Sequence, residues 1–133
     1  MNTPSTEVQG LVAGAALGLV HIVLASQTAS FQRGYRWTAG PRDETLPPLA
    51  GIAGRLARAS ANFLETFPFF AAAVLAALAT GTHSAWSEWG VLLYLGGRIA
   101  YLPLYAFGVF LARSMAWNVA TAGIAAIYVS LFV

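Results

Sequence analysis

The chain has no cysteine and no lysine, only two histidines, and charge on just 9% of its 133 residues. Without cysteine there is no disulfide, no thiolate metal site and no cysteine nucleophile, so any thiol chemistry must use a thiol brought by the substrate. His21 and His83 lie far apart and form no metal-ligand pattern, so no metal is expected. A soluble domain carries roughly 25% charged residues; here 58% of the chain is apolar instead. That balance belongs in a bilayer. Seven arginines against five acids leave a formal charge of +2, and their crowding into one loop is a signal of topology rather than of nucleic-acid binding. The first residues lack a basic stretch ahead of the apolar run, so no cleaved signal peptide is expected.

Four hydrophobic stretches are present, at roughly 8–31, 55–80, 86–107 and 110–133. Each is near the ~20 residues that a helix needs to cross hydrocarbon. Short connections between them predict an all-α, antiparallel four-helix bundle forming a single transmembrane domain over 1–133. Gly10, Gly14 and Gly18 make two overlapping GxxxG patterns, read as close helix packing within the bundle, with dimerisation as the alternative. The one long connection, 32–54, holds Arg33, Arg36 and Arg42, and Arg55 and Arg58 follow it. The positive-inside rule therefore places the first and third loops in the cytoplasm and both termini on the far side.

The polar residues fall on helical faces. Arg55, Arg58, Asn62 and Glu65 are spaced three, four and three apart, immediately ahead of an uncharged run. Tyr94, Arg98, Tyr101 and Tyr105 are spaced four, three and four, and Arg113 opens the last segment. Two polar faces at one depth predict a shared pocket. Its arginines suit a small ligand with more than one carboxylate, bound by bidentate forks, and Glu65 suits an ammonium.

A structural reading competes at each position. Snorkelling to headgroups accounts for Arg55 and Arg58, and an interhelical ion pair with Arg98 accounts for Glu65. Packing accounts for Tyr94, and bundle core with satisfied hydroxyls for Tyr101 and Tyr105. An interhelical hydrogen bond accounts for His21 and for Asn118, solvation for His83, and the aromatic belt for Trp37, Trp86 and Trp89.

Arg58-Ala-Ser-Ala-Asn62-Phe-Leu-Glu65-Thr-Phe-Pro68 resembles the second-helix pattern R-A-x-x-N-x-x-E-x-x-P of the MAPEG family, the membrane-associated proteins of eicosanoid and glutathione metabolism. Arg98-Ile-Ala-Tyr101-Leu-Pro-Leu-Tyr105 is similar to that family's third-helix segment, and Arg113-Ser114 to the opening of its fourth helix. The loop from Gly40 to Pro48 resembles bacterial members. The resemblance implies a homotrimer in a membrane, expected to be the bacterial inner membrane, with glutathione as co-substrate between neighbouring subunits near the cytoplasmic face. By the same resemblance Arg58, Asn62 and Glu65 would hold glutathione, Tyr101 and Tyr105 would add hydroxyls, Arg98 would steady the site, and Arg113 would stabilise the thiolate. Arg33 or Arg36 matches a basic residue at the end of the first helix. Two departures stand out: Thr66 replaces a tyrosine of some eukaryotic members, and the spacing before Arg113 differs by one residue.

The expected function is a glutathione transferase or glutathione-dependent peroxidase for hydrophobic electrophiles or lipid hydroperoxides, in a detoxifying role. The alternative is a non-catalytic trimer of the same kind that binds a lipid or another thiol. A small exporter ranks last, because Glu7 and Glu65 lie near helix ends and not at mid-membrane.

Overall fold

The computed structural model describes residues 3–133, and among them the regular structure is entirely helical. There are four long helices, α1 (Thr6–Arg33), α3 (Gly51–Thr80), α4 (Ala85–Ala106) and α5 (Ala112–Ser130); the last three are joined by short connections, and a single-turn α2 (Tyr35–Ala39) lies in the long connection between the first two. The expected four segments are all present. Two differences matter: α3 begins at Gly51, ahead of the expected position 55, and the 32–54 connection contains α2. Gly34 (φ 89°) stops α1, and the next turn is held by Trp37, with the Arg33 and Arg42 guanidiniums 4.8 and 5.8 Å from its ring. Five residues are too few for a periodic pattern to register.

The helix ends follow local chemistry. Ser84 and Ser87 close a reciprocal capping box at the start of α4. Gly81 ends α3 in the left-handed conformation, φ 67°. Pro68 and Pro103 lie inside α3 and α4, and both helices continue through them.

Packing gives an antiparallel bundle. α1 rests chiefly on α3 and α4 on α5, α3 also touches α4, and α1 and α5 do not meet. Near the α4–α5 turn the Arg55 Nε donates to the Ala106 carbonyl at 2.7 Å. At the opposite end buried Glu7 accepts from the Ser87 hydroxyl at 2.7 Å and lies 3.3 Å from His83 Nδ1. His83 is exposed, as the expected solvation requires, and is in addition tethered to Glu7. The core comprises Phe70, Ala73, Val74, Ala77, Val91, Tyr94, Ala120, Ile124 and Ile127, with Phe70 and Tyr94 stacked at 3.8 Å.

Small residues set the spacing. A Cβ on Gly123 would meet the Gly90 carbonyl oxygen at 2.5 Å, and one on Gly97 the Ala116 carbonyl oxygen at 2.7 Å. α4 and α5 therefore run backbone against backbone. Gly10, Gly14 and Gly18 are buried against Val91, Phe67, Phe70 and Phe63, so the GxxxG stripe serves packing inside the bundle.

The outside is as apolar as the inside. Leu19, Val23, Phe69, Leu75, Leu92, Ile99 and Met115 are all exposed, which in water would be an untenable patch. α1 and α3 are long and apolar enough to cross a bilayer, with mean hydropathy 2.0 and 1.7.

Candidate functional site

The expected polar face of α3 divides in two. Arg58 and Glu65 are exposed, Asn62 and Thr66 are half-buried and turned toward α4, and Arg55 is half-buried at the helix start. Arg55 does not snorkel free; it caps the last carbonyls of α4 through Ala106, a favourable place for a cation at a helix C-terminus. Arg58 reaches the Tyr105 hydroxyl at 3.3 Å. Glu65 has no ion pair among the described residues, so the pairing with Arg98 is absent.

Arg98 is buried completely, at 0% exposure. Its Nη1 donates to Asn62 Oδ1 at 2.8 Å and its Nη2 to the Thr66 hydroxyl. The rings of Tyr101, Phe63 and Tyr94 surround its guanidinium at 5.2, 5.8 and 5.9 Å. Tyr94 is buried packing, as expected. His21 is not the interhelical hydrogen bond expected of it: neither ring nitrogen has a partner among the described residues, and the ring stacks on Phe63 at 4.7 Å.

Between α3, α4 and α5 lies a groove of about 290 Å³ lined by Asn62, Tyr101, Tyr105, Arg113, Ser114, Trp117 and Asn118. Asn62, Tyr101, Tyr105 and Arg113 are thereby brought together. Arg58 adjoins through its bond to Tyr105, Arg98 stands behind Asn62, and Glu65 lies on the exposed side of α3. The Arg113 guanidinium lies 4.8 Å from the Tyr105 ring centre.

The start of α5 shapes the electrostatics. Leu111, at φ 66°, makes no side-chain cap. The Ala112 and Met115 amides bond to Phe110 and Leu111, whereas those of Arg113 and Ser114 have no partner among the described residues. Free first-turn amides and a guanidinium at the positive end of a helix repel each other and attract an anion. A small anion is what this corner can hold.

Ser114, Trp117 and Asn118 were not foreseen as lining residues. The signal was available, since Trp117 follows Arg113 and Asn118 follows Ser114 by four residues, so the two pairs form adjacent strips along α5. Asn118 bonds the Ser114 carbonyl of its own helix at 2.9 Å, not a neighbouring helix. At the same end a second cavity, about 460 Å³, is lined by Arg33, Arg36, Trp37 and Arg42. Among the described residues no cluster of acidic and histidine side chains has metal-binding form.

A family model described as the MAPEG family matches residues 10–133 of this sequence. The chain belongs to the MAPEG family. No curated protein matches the sequence. MAPEG membership, with two apolar helices of spanning length, makes this a membrane protein of the glutathione- and eicosanoid-related group. Of the segment from Arg58 to Pro68, which resembles that family's second-helix pattern, Asn62 lines the groove.

Proposed function

We propose that this protein is a membrane-bound glutathione transferase, with glutathione-dependent peroxidase activity, that acts on hydrophobic substrates. The observation that carries the reading is the meeting of Asn62, Tyr101, Tyr105 and Arg113 around one groove beside an uncapped helix N-terminus. A free thiol has a pKa near ~8.5 and reacts as the thiolate. Arg113 and the first-turn amides of α5 supply positive potential where the sulfur would sit. Lowering a thiol pKa by about two units needs roughly 2.7 kcal/mol of differential stabilisation, within the reach of one well-placed guanidinium. Tyr101 and Tyr105 add hydroxyl donors. Asn62 and Arg58 bind the peptide part, and Glu65 takes the ammonium.

In the transferase reaction the thiolate attacks an electrophilic carbon, the S–C bond forms, and the leaving group departs with its electron pair. In the peroxidase reaction the thiolate attacks a peroxide oxygen and the O–O bond breaks. The terminal oxygen passes to sulfur as a sulfenic acid, the lipid alkoxide takes a proton from water and leaves as the alcohol, and a second glutathione converts the sulfenic acid to disulfide and water.

The groove is at the low end of the ~300–1,000 Å³ range of ligand sites, and Arg58 and Glu65 face outward beside it. Both features fit a homotrimer whose neighbouring subunit completes the site. The arginines of the 32–54 connection support an orientation with that end of the bundle in the cytoplasm and both termini opposite; four membrane passes in a bacterial inner membrane complete the proposal.

Ultraviolet titration of glutathione with the detergent-solubilised protein tests the proposal. The wild type is expected to give a thiolate band at neutral pH, and Arg113→Ala to lose it while keeping its oligomeric state. No binding at millimolar glutathione would move the non-catalytic binder of a lipid or another thiol to the front.

A further inference from the structure

Arginine can only donate hydrogen bonds, whereas an asparagine side chain ends in one acceptor and one donor that can exchange places. The Nη1 of Arg98 lies 2.8 Å from the Asn62 side chain, so the atom facing it must be the acceptor, Oδ1. The amide nitrogen is then directed away from Arg98, and Asn62 lines the groove. No protein acceptor among the described residues engages that nitrogen. Thr66 is polarised in the same sense. Its hydroxyl accepts from Arg98, and its proton goes to the Phe63 carbonyl at 3.2 Å. Arg98 itself does not line the groove and is fully buried. It has no carboxylate within ion-pair distance among the described residues, so it is a permanent cation held by neutral oxygens and aromatic rings.

We infer that Arg98 is a positioning residue that fixes the polarity of Asn62, so that the groove presents only N–H donors at this point and selects a ligand with a carbonyl or carboxylate oxygen there. This deepens the proposed function and rests on it for the identity of the ligand. Arg98 acts without touching the ligand. A pure donor such as an ammonium placed over Asn62 would meet the wrong end of the amide.

Asn62→Asp separates this role from simple structural support, because it is isosteric and moves stability and binding in opposite directions. The carboxylate gives Arg98 the anion it lacks, so the ligand-free protein in detergent should unfold at a midpoint several degrees higher. The same change removes the Asn62 donor and sets an acceptor against the ligand oxygen, so glutathione should bind at least about tenfold more weakly. A midpoint that falls, or that rises equally when Arg98 is also replaced by Gln, would overturn the contact between Arg98 and Asn62. A raised midpoint with wild-type glutathione affinity would overturn the selection of an acceptor. Failure of the wild type to bind glutathione would reject the proposed function, while the midpoint comparison in the Arg98→Gln background would still decide whether Arg98 sets the polarity.

Discussion

His21 occupies the bundle interior at 1% exposure, with neither ring nitrogen partnered among the described residues. Its ring stacks on Phe63, which in turn shields the Arg98 guanidinium. His21→Phe keeps the stack and removes two unsatisfied polar atoms, whose burial costs about 1–3 kcal/mol. The variant is expected to match or exceed the wild type in thermal unfolding; a clear loss would show that His21 has a polar partner. Phe63→Ala is the opposite case. It opens a cavity under both His21 and Arg98 and should cost about 3–5 kcal/mol, measured by the same unfolding experiment. At this scale the sequence was informative about residue type and less so about direction. The spacing of Arg58, Asn62 and Glu65 announced a helical face, but small rotations decide which members turn inward. Only the bond from Arg98 separates Asn62 from the exposed Glu65. Arg55 was unreadable because its partner is a backbone carbonyl, Ala106, that side-chain patterns do not reveal.

The helices were legible from their apolar runs, and their contacts were legible where glycine marks them. α4 and α5 carry the groove's Tyr101, Tyr105 and Arg113, and the distance between these helices is set by the Gly90–Gly123 and Gly97–Ala120 approaches. Gly123→Val would drive side-chain carbon against the Gly90 carbonyl and the Tyr94 amide. Overpacking of this kind costs about 1–3 kcal/mol. The expected outcome is a lower unfolding midpoint together with loss of the thiolate band, because Arg113 moves away from Tyr105. A variant that keeps the band would show that the groove tolerates helix separation. The α4–α5 turn makes a second element-scale prediction. Arg55→Ala frees the Ala106 carbonyl and loosens residues 107–111, so it should lower turnover more than it weakens glutathione binding, as read from kcat and KM measured separately. The α2 turn lay beyond sequence reading because its geometry depends on two arginines closing on Trp37.

For the whole molecule the composition announced the environment, since interior and exterior are equally apolar and only a bilayer accepts both. Assembly is a different matter. Arg58, Glu65 and Asn118 are polar groups left on outward faces, expensive against lipid. A neighbouring subunit covering them is the arrangement the proposed trimer supplies. Glu65→Gln is therefore expected to leave the unfolding midpoint nearly unchanged while raising the dissociation constant for glutathione, followed by equilibrium titration. If binding is unaffected, Glu65 belongs to the subunit contact alone.

Phe107, Phe110 and Leu111 stand out from the α4–α5 turn at 76%, 84% and 59% exposure, a few residues from Arg113. With these side chains dissolved in the acyl layer, the groove samples solutes at their concentration per lipid and not per volume of buffer. Kinetics would then obey surface dilution. Adding empty micelles or vesicles at constant total electrophile should slow the reaction, and the apparent KM should become constant only when expressed as a mole fraction of the amphiphile.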